Sequence, residues 1–377
     1  MPTSPAAPAP PPPPVERRAE GGTTLLLPAL APHRGPAART AVFYNPAMAL
    51  DRDLNVAFAE VAVRRGRSGL DGWEMLGATG VRGLRLAHES KFLRSLRITE
   101  LAPAALAVLE ENARSVAPDR VRVEARDARI GDPGAAFDYL DLDPYGSPLP
   151  FLPTLFAAAR DDALVAVSAT DMMVLAGVTR GACERLYGSQ PIRGRLAPEA
   201  GLRILLARLA REARSRGRAI HPLLSYVHDH HVRTYFEVRR SDSVPADPVE
   251  TIDPVAWTGP QLRGAGPFGP LWTGPLGDTL WVRDLRPPAV PARGEETVRF
   301  IERLVEESAV DRPFFYEPNE LARQLGSAEP PSIASLLEGI RATGALAVRA
   351  HPREAAIRTT APRAIVEAVG RRLTTGP

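Results

Sequence analysis

Trp73-Glu74-Met75-Leu76-Gly77-Ala78-Thr79-Gly80-Val81-Arg82-Gly83 is a short apolar run that empties into a glycine-rich loop, after which a helical pattern begins. A strand, a tight loop and a helix in that order open a parallel α/β unit. Gly77, Gly80 and Gly83 let backbone approach a ligand closely, as nucleotide sites require. Their spacing is Gly-x-x-Gly-x-x-Gly rather than the dinucleotide fingerprint, and an ordinary strand-to-helix turn would read the same way.

The alternation continues downstream. Leu96–Leu101 reads as a second strand with Glu100 at its end, and Pro103–Ala117 as a helix with proline in its first turn. Val121–Ala125 is a third strand, followed by Asp127. Phe137–Leu142 is a fourth, running into Asp143-Pro144-Tyr145-Gly146, and Ala163–Ser168 is a fifth. Upstream, Thr24–Pro28 reads as a strand. Arg52–Arg65 reads as an amphipathic helix with Leu54, Phe58, Val61 and Ala62 on one face. Gly201–Arg216 is a further helix, and Leu223–His228 with Arg233–Val238 an antiparallel pair at a sheet edge. The expected fold is therefore α/β, a mostly parallel sheet with helices on both faces and an antiparallel edge.

Periodicity stops near Arg240. Proline and glycine crowd residues 244–293, which read as a linker or irregular arm. Glu295–Glu307, Pro318–Leu325 and Ser332–Ala342 return to helix. Ala345–Arg349 and Ala356–Thr359 could pair as a hairpin, giving a smaller α+β module of winged-helix-like order. The domain reading is a Pro/Ala-rich disordered tail over 1–19, a catalytic domain over 20–243 and a C-terminal domain over 244–377.

Composition narrows the class. The 377 residues carry a formal charge of +3, almost all of the positive side being arginine, with Lys91 the one lysine. Arginine suits bidentate contact with phosphate and stacking on bases, and a GC-rich genome would give the same bias. Cys183 is the single cysteine, so no disulfide framework or multi-cysteine zinc site can be built from the sequence, and a reducing cytoplasmic setting fits. No apolar run is long enough to span a bilayer, no signal pattern opens the chain, and no membrane association is expected.

Open parallel sheets bind ligands beyond the carboxyl ends of their strands, where the polar residues gather here. Glu100 can accept both hydroxyls of a ribose; a nicotinamide dinucleotide and an adenosyl cofactor would both use it. Asp127 and Ala128 would flank an adenine, Asp127 accepting its exocyclic amine. Asp143-Pro144-Tyr145 discriminates. An aryl amine such as guanine N2 is a poor nucleophile, and a carboxylate accepting its N–H raises electron density on nitrogen as attack proceeds. Pro144 fixes the backbone, and Tyr145 offers a face on which a base can stack. Hydride transfer has no use for this set. Phe43, in Phe43-Tyr44-Asn45-Pro46, could close over cofactor or base, or simply pack. His228-Asp229-His230-His231 has metal-ligand residue types but no second cluster, and reads as a polar turn or an RNA-facing edge, with no metal expected.

These stretches together resemble the archaeal and eukaryotic tRNA (guanine-26-N2)-dimethyltransferases. The resemblance is carried by residues 42–48, Arg52-Asp53, residues 78–83, Asp141–Pro148, Ala169-Thr170-Asp171, Asp229-His230, Gly269-Pro270-Leu271-Trp272 and Ile357–Pro362. It implies a class I, Rossmann-like S-adenosylmethionine-dependent methyltransferase domain with a family-specific C-terminal domain. It implies that Arg52, Arg82, Glu100, Asp127 and Ala128 contact S-adenosyl-L-methionine, with Asp143 as catalytic carboxylate and Phe43 and Tyr145 holding the guanine. Tyr145 stands where the family usually has Phe, Glu100 where it has Asp, and Ala176 and Leu186 where it has Cys and Lys. Some members hold the arm before Gly269 with a cysteine zinc site; here packing must do so. An amino-methyltransferase acting on ribosomal RNA or DNA, or a non-catalytic tRNA-binding relative, are the alternatives. One methyl or two, the exact guanine and the oligomeric state stay open.

Residues 341–377 hold seven arginines against two acids. That end is expected to form a phosphate-binding surface for tRNA, with Arg353, Arg358 and Arg371 as contacts. No obligate protein partner is expected.

Overall fold

In the computed structural model of the chain, residues 14–29, 42–131, 134–179, 181–243 and 246–374 are described. Most of the tail read over 1–19 lies outside them. The chain falls into two compact units. The first comprises residues up to Ile130 together with Arg286–Thr297, and the second comprises Gly131–Leu285 and Val298 onward. The shift in composition at 243/244 is not a boundary of compactness.

The first unit opens with β1 (Val15–Glu20) and β2 (Thr23–Pro28), an antiparallel pair in which Glu20 faces Thr23 across the turn. Residues 15–19 are thus strand, not tail: the Pro/Ala run ends at Pro14, and Val15-Glu16-Arg17-Arg18 gains a partner in Leu25–Pro28. Helix α1 (Ala49–Arg64) follows a short turn capped by Asn45, whose Oδ1 accepts from Ala47 N at 3.0 Å. Leu54, Phe58, Val61 and Ala62 are buried as their spacing predicts, but so are Asp51, Arg52 and Asp53, so α1 is enclosed well beyond one stripe. Strands β3 (Leu70–Glu74), β4 (Leu93–Glu100) and β5 (Val121–Ala125) pair in parallel, joined by α2 (Val81–Glu89) and α3 (Pro103–Val116).

The second unit continues with β6 (Phe137–Leu142), α4 (Leu152–Ala158), β7 (Ala159–Ala169), α5 (Met172–Leu175), α6 (Ala182–Tyr187) and α7 (Ala197–Arg214). β6 and β7 are parallel. β8 (Arg218–His228) and β9 (His231–Arg240) are antiparallel, and β9 is also antiparallel to β7. In the main sheet β5-β4-β3 run side by side in that order within the first unit, and β6-β7-β9-β8 within the second. It is the expected mostly parallel sheet with an antiparallel edge. Helix α7 packs on β8 and is buried around nearly its whole circumference.

The stretch read as an irregular arm is partly regular. β10 (Val249–Ile252) pairs antiparallel with β11 (Phe268–Trp272), and α8 (Thr279–Arg283) starts on an Asp278 cap. Proline and glycine between the two strands break the apolar run that would have signalled them. Packing is not all that holds this region: the buried Arg203 Nη1 donates to the carbonyls of Trp272 and Gly274 at 3.0 and 2.9 Å. The chain then forms α9 (Glu295–Glu307), α10 (Pro318–Leu325), α11 (Ile333–Arg341), the hairpin β12 (Ala347–Arg349) and β13 (Ile357–Thr359), and α12 (Arg363–Thr374). Leu321, Leu336, Ile340, Ile357, Val366 and Val369 close a separate core under this module. Among the described residues no helix is long and apolar enough to cross a membrane.

Candidate active site

The proposed cofactor residues belong to the first unit. Trp73 Nε1 donates to Thr99 Oγ1 at 3.0 Å, Thr99 Oγ1 donates to Met75 O at 2.7 Å, and Gly77 N donates to Thr99 O at 2.9 Å. β4 thereby fixes where β3 releases the loop. A Cβ on Gly77 would come within 2.4 Å of Ile98 Cγ2, and one on Gly80 within 2.4 Å of Leu109 Cδ1; Gly80 also sits at φ +76°. These glycines are required by close packing of loop, strand and helix.

Glu100 is tied to that loop. Its Oε2 accepts from Ala78 N at 2.8 Å, and its Oε1 accepts from Leu101 N and Ala102 N at 2.7 and 2.8 Å. Each carboxylate oxygen has two lone-pair directions, so these three bonds leave acceptor capacity for a ligand hydroxyl. Glu100 and Ala125 are register partners on neighbouring parallel strands, which puts Asp127 just beyond the adjacent strand end. Asp127 accepts from Arg129 Nε and Nη2, its carboxyl held below the usual carboxylate range by hydrogen bonds from the Arg129 side chain and backbone. Ala128 is buried.

Arg52 and Arg82 are both buried and spoken for. Arg52 Nε and Nη2 donate to Glu20 Oε1 and Oε2 at 2.5 and 2.6 Å, and Nη2 donates to Asn45 O at 3.1 Å. Tyr44 OH donates to Glu20 Oε2 at 2.7 Å, and the Arg52 guanidinium lies over the Tyr44 ring, 5.3 Å from its centroid. Burial alone would raise the Glu20 carboxyl, but Arg52, Tyr44 and Arg85 bring it down to about 2. Arg82 Nη2 donates to Asp51 Oδ2 at 2.6 Å, and Arg85 Nη2 to Asp53 Oδ1 at 2.8 Å. Asp53 also accepts from Thr297 Oγ1 and from Ala292 N and Arg293 N. Glu20, Asp51 and Asp53 thus position the basic side chains of α1 and α2. Of the three only Asp53, within Arg52-Asp53, stands out in the sequence; Asp51 and Glu20 gain their place from the arginines they pair with. Phe43 is 40 % exposed.

This chain's residues fit an adenosyl cofactor. Two carboxylates stand at neighbouring strand ends, the loop between β3 and α2 has no side chain at its tightest points, and Thr79 Oγ1 in that loop is a buried hydroxyl without a hydrogen-bond partner among the described residues.

Asp143, Pro144 and Tyr145 belong to the second unit and follow the carboxyl end of β6. The turn is pinned behind them: Gly146 N donates to Thr170 Oγ1 at 2.6 Å, and Thr170 N donates to Gly146 O at 3.0 Å. Ser147 Oγ lies 2.9 Å from Tyr187 OH, which donates to Asp171 at 2.8 Å. Burial raises the Asp171 carboxyl, with the Tyr187 bond opposing it. Pro144 is buried while Tyr145 is 77 % exposed, a ring offered to solvent at a rigid strand end. Beneath, Asp141 Oδ2 accepts from Tyr139 OH and Arg233 Nη2, each at 2.7 Å.

Two other sequence readings meet the structure here. His228 and His231 are register partners across the Asp229-His230 turn, and Asp229 takes φ +47°, so this stretch is the polar turn expected. Among the described residues no cluster of three His, Cys, Asp or Glu side chains is placed to hold a metal ion. Arg358, expected on a phosphate surface, is 2 % exposed and paired to Glu199 and Glu307, because β13 carries it into the interior. It is not available to RNA.

The sheet, the glycine loop and the strand-end carboxylates define a class I S-adenosylmethionine-dependent methyltransferase fold. A profile of the family described as N2,N2-dimethylguanosine tRNA methyltransferase matches residues 34–256 and 263–371. The chain belongs to that family. It is 34 % identical to the tRNA (guanine(26)-N(2))-dimethyltransferase of Thermococcus kodakarensis, over 87 % of this chain and 92 % of the relative. It is 31 % identical to the enzyme of that name from Methanopyrus kandleri, over 93 % and 95 %. The structure of Trm1 from Pyrococcus horikoshii in complex with S-adenosyl-L-methionine is similar with a TM-score of 0.80 and 25 % identity, covering 94 % of this chain and 99 % of that one.

Proposed function

We propose that this chain transfers the methyl group of S-adenosyl-L-methionine to the exocyclic N2 of guanine 26 in tRNA, once or twice, in the cytoplasm. The observation that carries the reading is Asp143-Pro144-Tyr145 at the carboxyl end of β6, in a chain matched to the dimethylguanosine family along nearly its whole length.

Glu100 takes the ribose hydroxyls, Asp127 and Ala128 the adenine, and Arg52 and Arg82 complete the cofactor contacts, with Gly77 and Gly80 giving backbone access. The bound cofactor supplies a methyl group made electrophilic by its sulfonium. Asp143 accepts an N–H of guanine N2, directs the lone pair and takes up the proton the amine loses as the C–N bond forms. Tyr145 and Phe43 hold the base by stacking. Pro144 stiffens the turn, so positioning contributes to the rate. Methyl transfer from labelled cofactor to unmodified tRNA transcripts, with the product mapped by nucleoside mass spectrometry, tests the assignment. N2-methylguanosine or its dimethyl form at position 26 supports it; label on another base, or on none, contradicts it.

A further inference from the structure

Arg193, Arg195, Arg263 and Arg323 line one cleft of the second unit. Arg195, Arg263 and Arg323 are each more than half exposed, but the acids that hold them are sunken, Glu317 at 6 % exposure and Glu320 at 19 %. Arg195 Nη1 donates to Glu317 Oε2 at 2.6 Å. Arg263 Nη2 donates to both oxygens of Glu320, at 2.9 and 3.0 Å, and Arg323 donates to Glu320 as well. Arg353 approaches from the β12–β13 hairpin, its Nε 3.8 Å from Glu317 Oε1. Arg193 and Arg263 also line the next cleft, beside Gln190 and Phe268. Glu184, Asp229 and Glu354, on the walls of the neighbouring clefts, bound the basic patch.

Four arginines on two sunken acids, with Arg193 beside them, make an arrangement with a use. Each carboxylate takes one or two of the five N–H donors of a guanidinium and leaves the others for an anion. It also holds the side chain in place beforehand, which lowers the entropic cost of ordering it on a ligand. The balance at the cleft stays positive, so the ligand is an anion with several charges in a row.

We infer that this cleft grips the phosphodiester backbone of the RNA substrate, a role that rests on the tRNA reading above. It replaces the surface expected at the C-terminal end, of whose three contacts only Arg353 lies beside it. Backbone contacts of this kind set register and affinity rather than sequence preference.

The test compares two double variants with equal charge change. Arg193→Glu with Arg263→Gln alters the cleft and keeps Arg195 on Glu317 and Arg323 on Glu320, so no sunken acid loses its last partner. Arg371→Gln with Arg372→Glu alters exposed arginines of α12. The dissociation constant for tRNA is measured across a salt series, with thermal melting and cofactor binding confirming that each variant is folded. The cleft variant is expected to bind about tenfold more weakly at low salt, with a log–log salt slope shallower by about 1.5, and the α12 variant to stay within roughly twofold of wild type. Wild-type affinity and slope in the cleft variant, or equal losses in both variants, would overturn the inference. If wild type methylates tRNA alongside an unaffected cleft variant, only the cleft role falls; if wild type neither binds nor methylates tRNA, the substrate reading falls with it.

Discussion

Arg358 and Glu199, 159 residues apart in sequence, meet in a two-point ion pair, Nη2 to Oε2 at 2.8 Å and Nη1 to Oε1 at 3.1 Å. Both side chains are buried, and the cluster extends through Arg358 Nε to Glu307 Oε1 at 2.7 Å and through Arg203 Nε to Glu199 Oε1 at 2.8 Å. His351 completes it: Nδ1 lies 2.6 Å from Glu307 Oε2, and Nε2 accepts from Val227 N at 3.0 Å, which makes Nδ1 the protonated nitrogen. Removing one member of a buried pair leaves an uncompensated charge. Arg358→Ala should therefore lower stability by about 3–5 kcal/mol, read as a fall in the urea midpoint. A fall of under about 1 kcal/mol, the size of an exposed pair, would show that the pair is not what holds β13 to α7.

The same cluster sets an acid limit. Burial would raise Glu199 and Glu307, but the Arg358 and Arg203 guanidiniums at Glu199, and His351 and Arg358 at Glu307, bring both down to about 2 from an ordinary 4.5. A carboxylate depressed in the folded state contributes stability that is full above its unfolded value and disappears as pH falls toward the folded one. Glu20 behaves alike in the first unit. Stability should hold from neutral pH to about 5 and then fall steeply between about 4.5 and 2. Urea midpoints measured at intervals of half a pH unit would reveal this; a flat profile across that window would contradict it.

Glu100 supports its own loop and, in the proposed function, the ribose. In Glu100→Gln one oxygen becomes an NH₂ facing backbone donors. Cofactor affinity should drop by about 10- to 100-fold, the cost of losing hydrogen bonds to a charged group, and the melting temperature should fall modestly from the backbone donor left unpaired. Titration calorimetry with S-adenosyl-L-methionine measures this. Unchanged affinity would assign Glu100 to the loop alone.

The glycine loop makes a separate prediction. Gly77→Ala would push a methyl into Ile98 and Leu109, and Gly80→Ala would meet Leu109 and Leu84 at a positive φ. Each should cost about 1–3 kcal/mol of stability, the Gly80 change more, since φ +76° is itself strained for alanine. Equilibrium unfolding of both variants beside wild type decides the order.

Much of this was legible in the sequence, for physical reasons. Strands β5 and β6 have the expected limits, since both are apolar runs cut off by charged or turn residues. The strand-end residues Glu100, Asp127 and Asp143 stood out because a parallel sheet gathers function at one edge. β1 was missed because Val15-Glu16-Arg17-Arg18 has no apolar alternation; its order comes from pairing with β2. β10 and β11 were hidden by proline and glycine, and α12 by arginines that read as a phosphate-binding surface rather than as a helix. Arg358 was misread because charge balance along a chain does not tell which arginine turns inward. That information lies in Glu199 and Glu307, far away in sequence.

The most direct test of the central claim is single-turnover methyl transfer to tRNA by wild type and Asp143→Ala, with cofactor affinity measured on the same preparations. The account predicts that Asp143→Ala binds S-adenosyl-L-methionine and tRNA as wild type does and forms N2-methylguanosine at least about 100-fold more slowly, the usual weight of a positioned acid–base or electrostatic group. An Asp143→Ala enzyme that methylates guanine N2 within about threefold of the wild-type rate would contradict it, since such a change in barrier is under 1 kcal/mol.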